Sequence, residues 1–322
     1  MDITSINPYP LVFTPINVKR VWGGSRMSGA LGKHLPAGQP IGESWDLVDL
    51  AEAQSRVALG PATGIGLHEL VQQWEQRLMG PAALDGGRFP LLVKYLDAAK
   101  TLSVQVHPDA EVAARHGGRP KSEAWYILDR EPGGVIYRGL QPGTTREDFH
   151  AGIEGGQVEQ LLQSVEVQPG DLIPVPPGTV HAIGAGVLLA EVQQPSDTTY
   201  RVYDWGRVGL DGSPRALHVS EALESIHFDR QPPPMVRQGT VEMGMFRMRL
   251  AEVEPGEGLE LEDEGPVVLV GLKGAGVLEA RGHAAVACAL GTVLLAPHVC
   301  RPARFSSAAG ARVLQVTFPR SS

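Results

Sequence analysis

Four side chains drawn from three stretches of this chain have the types and spacing of a metal site. In Ser103-Val-Gln105-Val-His107-Pro-Asp109, Gln105 and His107 stand two residues apart. On an extended strand that spacing turns both side chains to one face. Further on, Gly170-Asp-Leu-Ile-Pro-Val-Pro176-Pro-Gly178-Thr-Val-His181 follows the pattern G-x5-P-x-G-x2-H. Gly170 permits a turn before a strand, Pro176 and Gly178 build a tight turn after it, and His181 opens the next strand. Between these stretches Glu123, in Lys121-Ser-Glu123-Ala-Trp-Tyr126, precedes an apolar strand and adds a carboxylate. A single histidine in a strand is ordinarily structural; the coincidence of all three features is what points to a metal. Two imidazoles, one carboxylate and one amide oxygen leave positions open for water or substrate, as catalysis requires. The nitrogen ligands and the carboxylate favour zinc, and the same set accepts iron, manganese or nickel. His34, His68, His116, His150, His218, His227, His283 and His298 stand in no such context.

Strands must carry these residues. Residues 89–98, 102–107, 124–128, 135–137, 172–175 and 187–193 all have strand character and predict one β-barrel-like core. Leu67, Leu70, Val71, Trp74 and Leu78 recur at three and four, which predicts an amphipathic helix of roughly twelve to fifteen residues. A second helical signal covers residues 146–163, with Thr144 or Thr145 as its cap; Gly152, Gly155 and Gly156 interrupt it, so one helix or two short ones fit. Three prolines in Gln231–Pro234 cannot lie inside a sheet and set a boundary between residues 1–230 and 235–322. Beyond it, residues 246–253, 267–272, 276–280 and 313–318 read as short strands of a smaller β domain. There Gly291-Thr-Val-Leu-Leu-Ala-Pro297 repeats the first half of the turn motif. His298 follows the proline directly, and Arg301, Pro302 and Ala303 replace the Gly-x-x-His continuation. The second domain is therefore expected to hold no metal and to cover the first.

With 322 residues, 43% of them hydrophobic, the chain has ample material for buried cores. Its net charge of -8 and pI near 5.7 exclude a general nucleic-acid surface. A small phosphorylated ligand stays open, because it needs only a few local cations. Cys288 and Cys300 are too few for a disulfide framework. The start of the chain lacks the pattern of a secretory signal, and no apolar run approaches the ~20 residues that cross a bilayer. A cytoplasmic protein without a membrane partner is expected; the sequence sets no oligomeric state.

Beyond the separate motifs, an ordered series stands out: Val21-Trp-Gly-Gly24, Gly42-Glu-Ser-Trp45, Phe89-Pro-Leu-Leu-Val-Lys94, Leu102-Ser-Val-Gln-Val-His-Pro-Asp109, Lys121-Ser-Glu-Ala-Trp125 and Pro177-Gly-Thr-Val-His-Ala182. The Gly170–His181 pattern is the second cupin motif. The whole series resembles the class I mannose-6-phosphate isomerases in their compact, Bacillus-like form. Gln105 occupies the first His position of the usual cupin H-x-H, and the Glu comes later than in that motif. The resemblance spans residues 22–206 and weakens beyond. It implies a mainly β fold: a cupin, or jelly-roll-like β-barrel, with a few helices, followed by a smaller cupin-like β domain. It also implies one zinc ion per chain on Gln105, His107, Glu123 and His181. Lys94, Lys121 and Arg201 match basic residues of the substrate pocket, Ser103 matches a phosphate position, and Asp197 with Arg201 matches a pair near the reacting carbons. The implied reaction interconverts mannose 6-phosphate and fructose 6-phosphate through a cis-enediol, with Arg201, Lys121 and Asp197 as the catalytic neighbourhood. For the base, Lys121, Asp197 and a metal-bound water or histidine all remain. Two other readings stand beside this one: an iron-dependent cupin oxygenase, and a sugar-binding cupin without catalysis.

Overall fold

Alternation along the strands decides what each face of this protein does. The structure is a computed structural model and describes residues 3–319. These residues form antiparallel sheets of ten, six and five strands. Leu172–Val175, Glu123–Arg130, Val187–Gln193, Leu92–Ala98, Ile16–Gly24 and Ile41–Leu47 make up the six-stranded sheet, in that order. The five-stranded sheet runs Tyr200–Tyr203, Val104–Val106, His181–Ile183, Val135–Leu140 and Leu162–Glu166.

The six-stranded sheet is the middle layer. On one face Leu96, Trp125, Ile127, Ile173, Val175 and Leu189 meet Ile136 and Ile183 of the five-stranded sheet. One residue along, Val93, Tyr95, Ala124, Tyr126, Leu188 and Ala190 face the other way and pack against Val268, Val270, Leu295, Leu314 and Val316 of the ten-stranded sheet. Such two-sided burial explains why the Val187–Gln193 strand is apolar at almost every position. The outer face of the five-stranded sheet carries Val104, Val106, Ala182 and Val202 under Val112, Phe149 and Leu223 of three short helices, Ala110–His116, Arg146–Glu154 and Val219–Ser225. The expected jelly-roll-like core is thus present as two facing sheets, not as one closed barrel.

The helical signals resolve into shorter pieces. Leu67–Trp74 is helical and buries Leu67, Leu70, Val71 and Trp74, but Glu75 at φ 40° breaks the run before Gln76–Met79. A left-handed residue cannot continue a right-handed helix. Thr145 caps Arg146–Glu154 through a reciprocal box with Asp148. Gly155 and Gly156 end that helix, and Val158–Leu161 forms a separate 3-10 turn.

Past the prolines, strands Arg247–Val253, Val267–Ala280, Val293–Ala296 and Ala311–Thr317 build the ten-stranded sheet. Two strands from before the prolines join it: Leu11–Thr14 pairs with Val293–Ala296, Leu11 opposite Leu295, and Arg56–Val57 pairs with Leu11–Thr14 in turn. The two ends of the chain therefore share a sheet across the proline segment.

Leu189 has no exposed surface and lies between the two facing sheets. Leu189→Ala should lower the unfolding free energy by about 2–5 kcal/mol in urea titrations, the cost of a buried leucine cavity. Leu59, 64% exposed, should lose less than about 0.5 kcal/mol in the same substitution.

Candidate metal centre and substrate cavity

The space between the facing sheets is apolar at one end and polar at the other, and register makes the polar end. Across the five-stranded sheet Arg201 pairs with Gln105, Gln105 with His181, and His181 with Arg138. Directly opposed residues project to the same face. Across the six-stranded sheet Glu191 pairs with Lys94 and with Trp125, and Gln193 with Glu123.

His107, Glu123 and His181 converge, with ligand atoms all within 4.8 Å of one another, and each is at most 1% exposed. His107 Nδ1 donates to the Thr198 carbonyl at 3.0 Å, and His181 Nδ1 to the Thr179 carbonyl at 2.9 Å. A carbonyl oxygen only accepts, so both rings carry their proton on Nδ1 and present the Nε2 lone pair inward. Those lone pairs stand 3.3 and 3.2 Å from the two carboxylate oxygens of Glu123. Burial, with the Lys121 charge adding to it, pushes the His107 imidazole down to about 3, and burial lowers His181 as well. Both rings are thus neutral at ordinary pH. Burial alone would oppose ionisation of Glu123, but the Lys121 charge holds it well below the usual carboxylate range. His107 Nε2 is buried without a hydrogen-bond partner, and Glu123 Oε2 has only the Lys121 ammonium beside it. Lone pairs facing an anion across a buried gap repel unless a cation lies between them. A divalent ion fits this donor set, and the backbone carbonyls on the two Nδ1 atoms fix the rings as metal-binding histidines require.

Gln105 lies beside them, its amide nitrogen 3.2 Å from His181 Nε2. Half a turn of the amide presents its oxygen instead, and such orientations are assigned from the surrounding network. All four sequence-predicted ligands are therefore brought together.

A cavity of about 440 Å³ opens from this cluster, lined among others by Ser103, Lys94, Lys121, Asp197 and Arg201. Lys121 Nζ is 2.7 Å from Glu123 Oε2 and 3.7 Å from Glu191 Oε1; Lys94 Nζ is 3.1 Å from Glu191 Oε1. Arg201 donates from Nε to Ser103 Oγ at 3.3 Å. Asp197 is exposed and belongs to the same lining.

Sequence reasoning left out Glu191, Glu43, Arg20 and Arg215, which also line the cavity. Burial and then the Glu123 charge push Glu191 up to about 7, against the pull of Lys94 and Lys121. Its signal was available: Glu191 is the one charged residue in a strand whose seven positions are all buried, and such a charge needs partners. Arg20 directly precedes the Val21–Gly24 motif and Arg215 lies in a segment without one, and only the fold brings the two here.

His181→Ala and Glu123→Ala should each be purified with less than about one-tenth of the wild-type metal content, since even indirect supports of a ligand change metal affinity ten- to a hundredfold. Elemental analysis of dialysed protein reads this directly. Wild-type metal content in both variants would contradict the ligand assignment.

Residues 12–132 match the family described as phosphomannose isomerase type I, catalytic domain. Mannose-6-phosphate isomerase ManA of Bacillus subtilis (strain 168) is 43% identical over 225 residues, 69% of this chain and 70% of that protein. The crystal structure of the mannose 6-phosphate isomerase from Bacillus subtilis superposes with a TM-score of 0.83 at 28% identity, over 96% of this chain and 99% of that one. A zinc-bound, holo mannose 6-phosphate isomerase shares the fold at a TM-score of 0.74 and 16% identity, over 97% of this chain and 100% of that one. With a shared fold along its whole length and this identity to a curated relative over more than two thirds of both sequences, the chain belongs to the type I phosphomannose isomerases.

Proposed function

We propose that this chain interconverts mannose 6-phosphate and fructose 6-phosphate by proton transfer between C1 and C2 through a cis-enediol. The observation that carries the proposal is the pair of inward Nε2 lone pairs around Glu123, sited at the floor of a cavity lined by lysine and arginine. Gln105, His107, Glu123 and His181 would hold one zinc ion per chain. Two imidazole nitrogens and a carboxylate suit that ion, and it is the ion carried by the holo fold neighbour. When bound, zinc supplies positive charge that polarises the oxygens of the substrate.

The chain's own residues supply the rest. Arg201 is a permanent cation on the strand next to Gln105, placed to stabilise negative charge that develops on the enediol oxygens. The group that takes the proton from one carbon and returns it to the other belongs to the neighbourhood of Lys121 and Asp197: Lys121 is kept beside the metal cluster by Glu123 and Glu191, and Asp197 lies on the same cavity lining. Ser103 and Lys94 are assigned as substrate contacts. Ser103 accepts from Arg201, and Lys94 is oriented by Glu191. Residues 1–230 would form the catalytic unit and residues 235–322 a cover that holds no metal. Two buried, unpaired cysteines suit a reducing cytoplasm.

In a coupled assay on mannose 6-phosphate, dialysis against a chelator should abolish turnover and added zinc should restore it. A fully metallated protein without isomerase activity would refute the proposal. Arg201→Ala should keep its metal and lose about a hundredfold or more in kcat, the usual loss for a removed electrostatic donor. An Arg201→Ala protein with wild-type kcat would remove that residue from the chemistry.

A further inference from the structure

The ten-stranded sheet has a second face that also passes from apolar to polar along its strands. On Arg247–Val253 and Ala311–Thr317, Met248, Leu314 and Val316 face the middle sheet, whereas Ala251, Val253 and Val313 face the other way into a separate apolar cluster. Along that outer face Val313 lies opposite Ala251, Gln315 opposite Arg249 and Thr317 opposite Arg247. Alternation therefore turns Gln315, Thr317 and both arginines away from the middle sheet. A cavity of about 610 Å³ opens there, and these four side chains, Asp263 and Phe318 are part of its wall. It exceeds the cavity of about 440 Å³ beside the metal cluster and has the size of a small-molecule site.

The floor of this cavity is fixed by its own contacts. Gln315 and Thr317 are only 3% and 5% exposed. Gln315 Oε1 accepts from Arg249 Nε at 3.1 Å and from Nη2, and Gln315 Nε2 donates to Asp263 Oδ2 at 2.8 Å. The amide is thus locked between a donor and an acceptor, with Arg249 Nη1 and Asp263 Oδ1 outside the chain of bonds. Arg301, one of the residues that replace the Gly-x-x-His continuation, donates to the Asp263 and Gly265 carbonyls and pins the loop that carries the carboxylate. Thr317 Oγ1 makes no hydrogen bond among the described residues, although the residue is buried and lines the cavity. A hydroxyl so placed is costly to leave without a partner, and a polar ligand supplies one.

We propose that this cavity binds a neutral saccharide of one or two rings. Glu242, Glu260, Glu262 and Glu264 are exposed around Asp263 and outnumber the two guanidiniums, so a phosphate or another dianion is repelled. Nor do these acids converge as a divalent ion requires; the one convergent group among the described residues is that of His107, Glu123 and His181. Sugar hydroxyls both donate and accept. They donate to Asp263 Oδ1, accept from Arg249 Nη1 and do either with Thr317 Oγ1. Phe318, packed edge-on against Phe89 at 5.8 Å, gives the C–H face of a sugar ring an apolar surface. The proposal does not depend on the reaction assigned to the other cavity.

D-mannose and cellobiose, titrated calorimetrically into the intact metal-loaded protein, are the probes. At least one should bind, once per chain, and saturating mannose 6-phosphate should not displace it. Thr317→Val and Asp263→Asn should each weaken that binding about tenfold, as loss of a ligand hydrogen bond does. Both should keep the KM for mannose 6-phosphate within about twofold. If Asp263→Asn does not fold, Thr317→Val decides alone. The site is overturned if neither sugar binds, if mannose 6-phosphate displaces the bound sugar, or if the folded variants keep wild-type affinity. Spermidine serves as the cationic contrast: its binding in place of both sugars would make the acidic wall a cation site and sink the proposal. Because the readout is binding, a protein that holds sugar here yet fails to isomerise mannose 6-phosphate would refute the proposed function alone.

Discussion

Two imidazole lone pairs and a carboxylate, shut away from water with no proton between them, form the constraint around which this structure is arranged. A buried polar atom without a partner costs on the order of 1–3 kcal/mol. His107 Nε2 is such an atom, and the Glu123 carboxylate beside it is answered on one side only, by Lys121. The fold gives the carboxylate an ammonium, Lys121, but gives the two Nε2 lone pairs no cation of their own. Thr198 and Thr179 hold the protons of both rings on the far nitrogen, and Lys121 keeps Glu123 ionised. Each contact sharpens the demand for an external cation, and each would be a poor choice in a site meant to stay empty.

Strand alternation makes this possible at modest cost. The same two sheets that present Gln105, His181, Glu123 and Glu191 at one end of their shared space present Leu96, Ile127, Ile173 and Leu189 at the other. One end is a dry core and the other a reactive cavity, with no change of backbone between them. Trp125 spans the two, its ring edge-on to His181 at 5.5 Å while its body lies in the core cluster. Arg138, directly across the ladder from His181, gives the Pro174 carbonyl two hydrogen bonds and also reaches the Pro233 carbonyl. The proline segment is thereby tied to the strand that leads into the His181 turn. Burial pushes the Arg138 guanidinium down to about 10, so it keeps its charge.

What could be read from the sequence was local geometry. The two-residue spacing of Gln105 and His107 needed only the pleat, and the turn that delivers His181 needed only glycine and proline at fixed offsets. A cap at Thr144 or Thr145 followed from their hydroxyls, and Thr145 fills the role with Asp148. Partnerships set by tertiary packing escaped. The left-handed Glu75 that splits one helix into two has no signature in residue type. The joining of Leu11–Thr14 to a strand some 280 residues later could not be seen from either segment. Lys94 and Lys121 were legible as pocket cations, but not their pairing with Glu191 and Glu123, because the partners come from other strands. Arg20 and Arg215 reach the cavity only through that same packing.

The central claim is that a single divalent ion completes the cluster of His107, Glu123 and His181. X-ray absorption at the zinc edge of the metal-loaded protein tests it most directly. The account predicts a first shell of nitrogen and oxygen near 2.0–2.2 Å with the outer-shell scattering of two imidazoles and no sulfur. A shell containing sulfur, or one of oxygens alone without imidazole scattering, would place the ion elsewhere and contradict it.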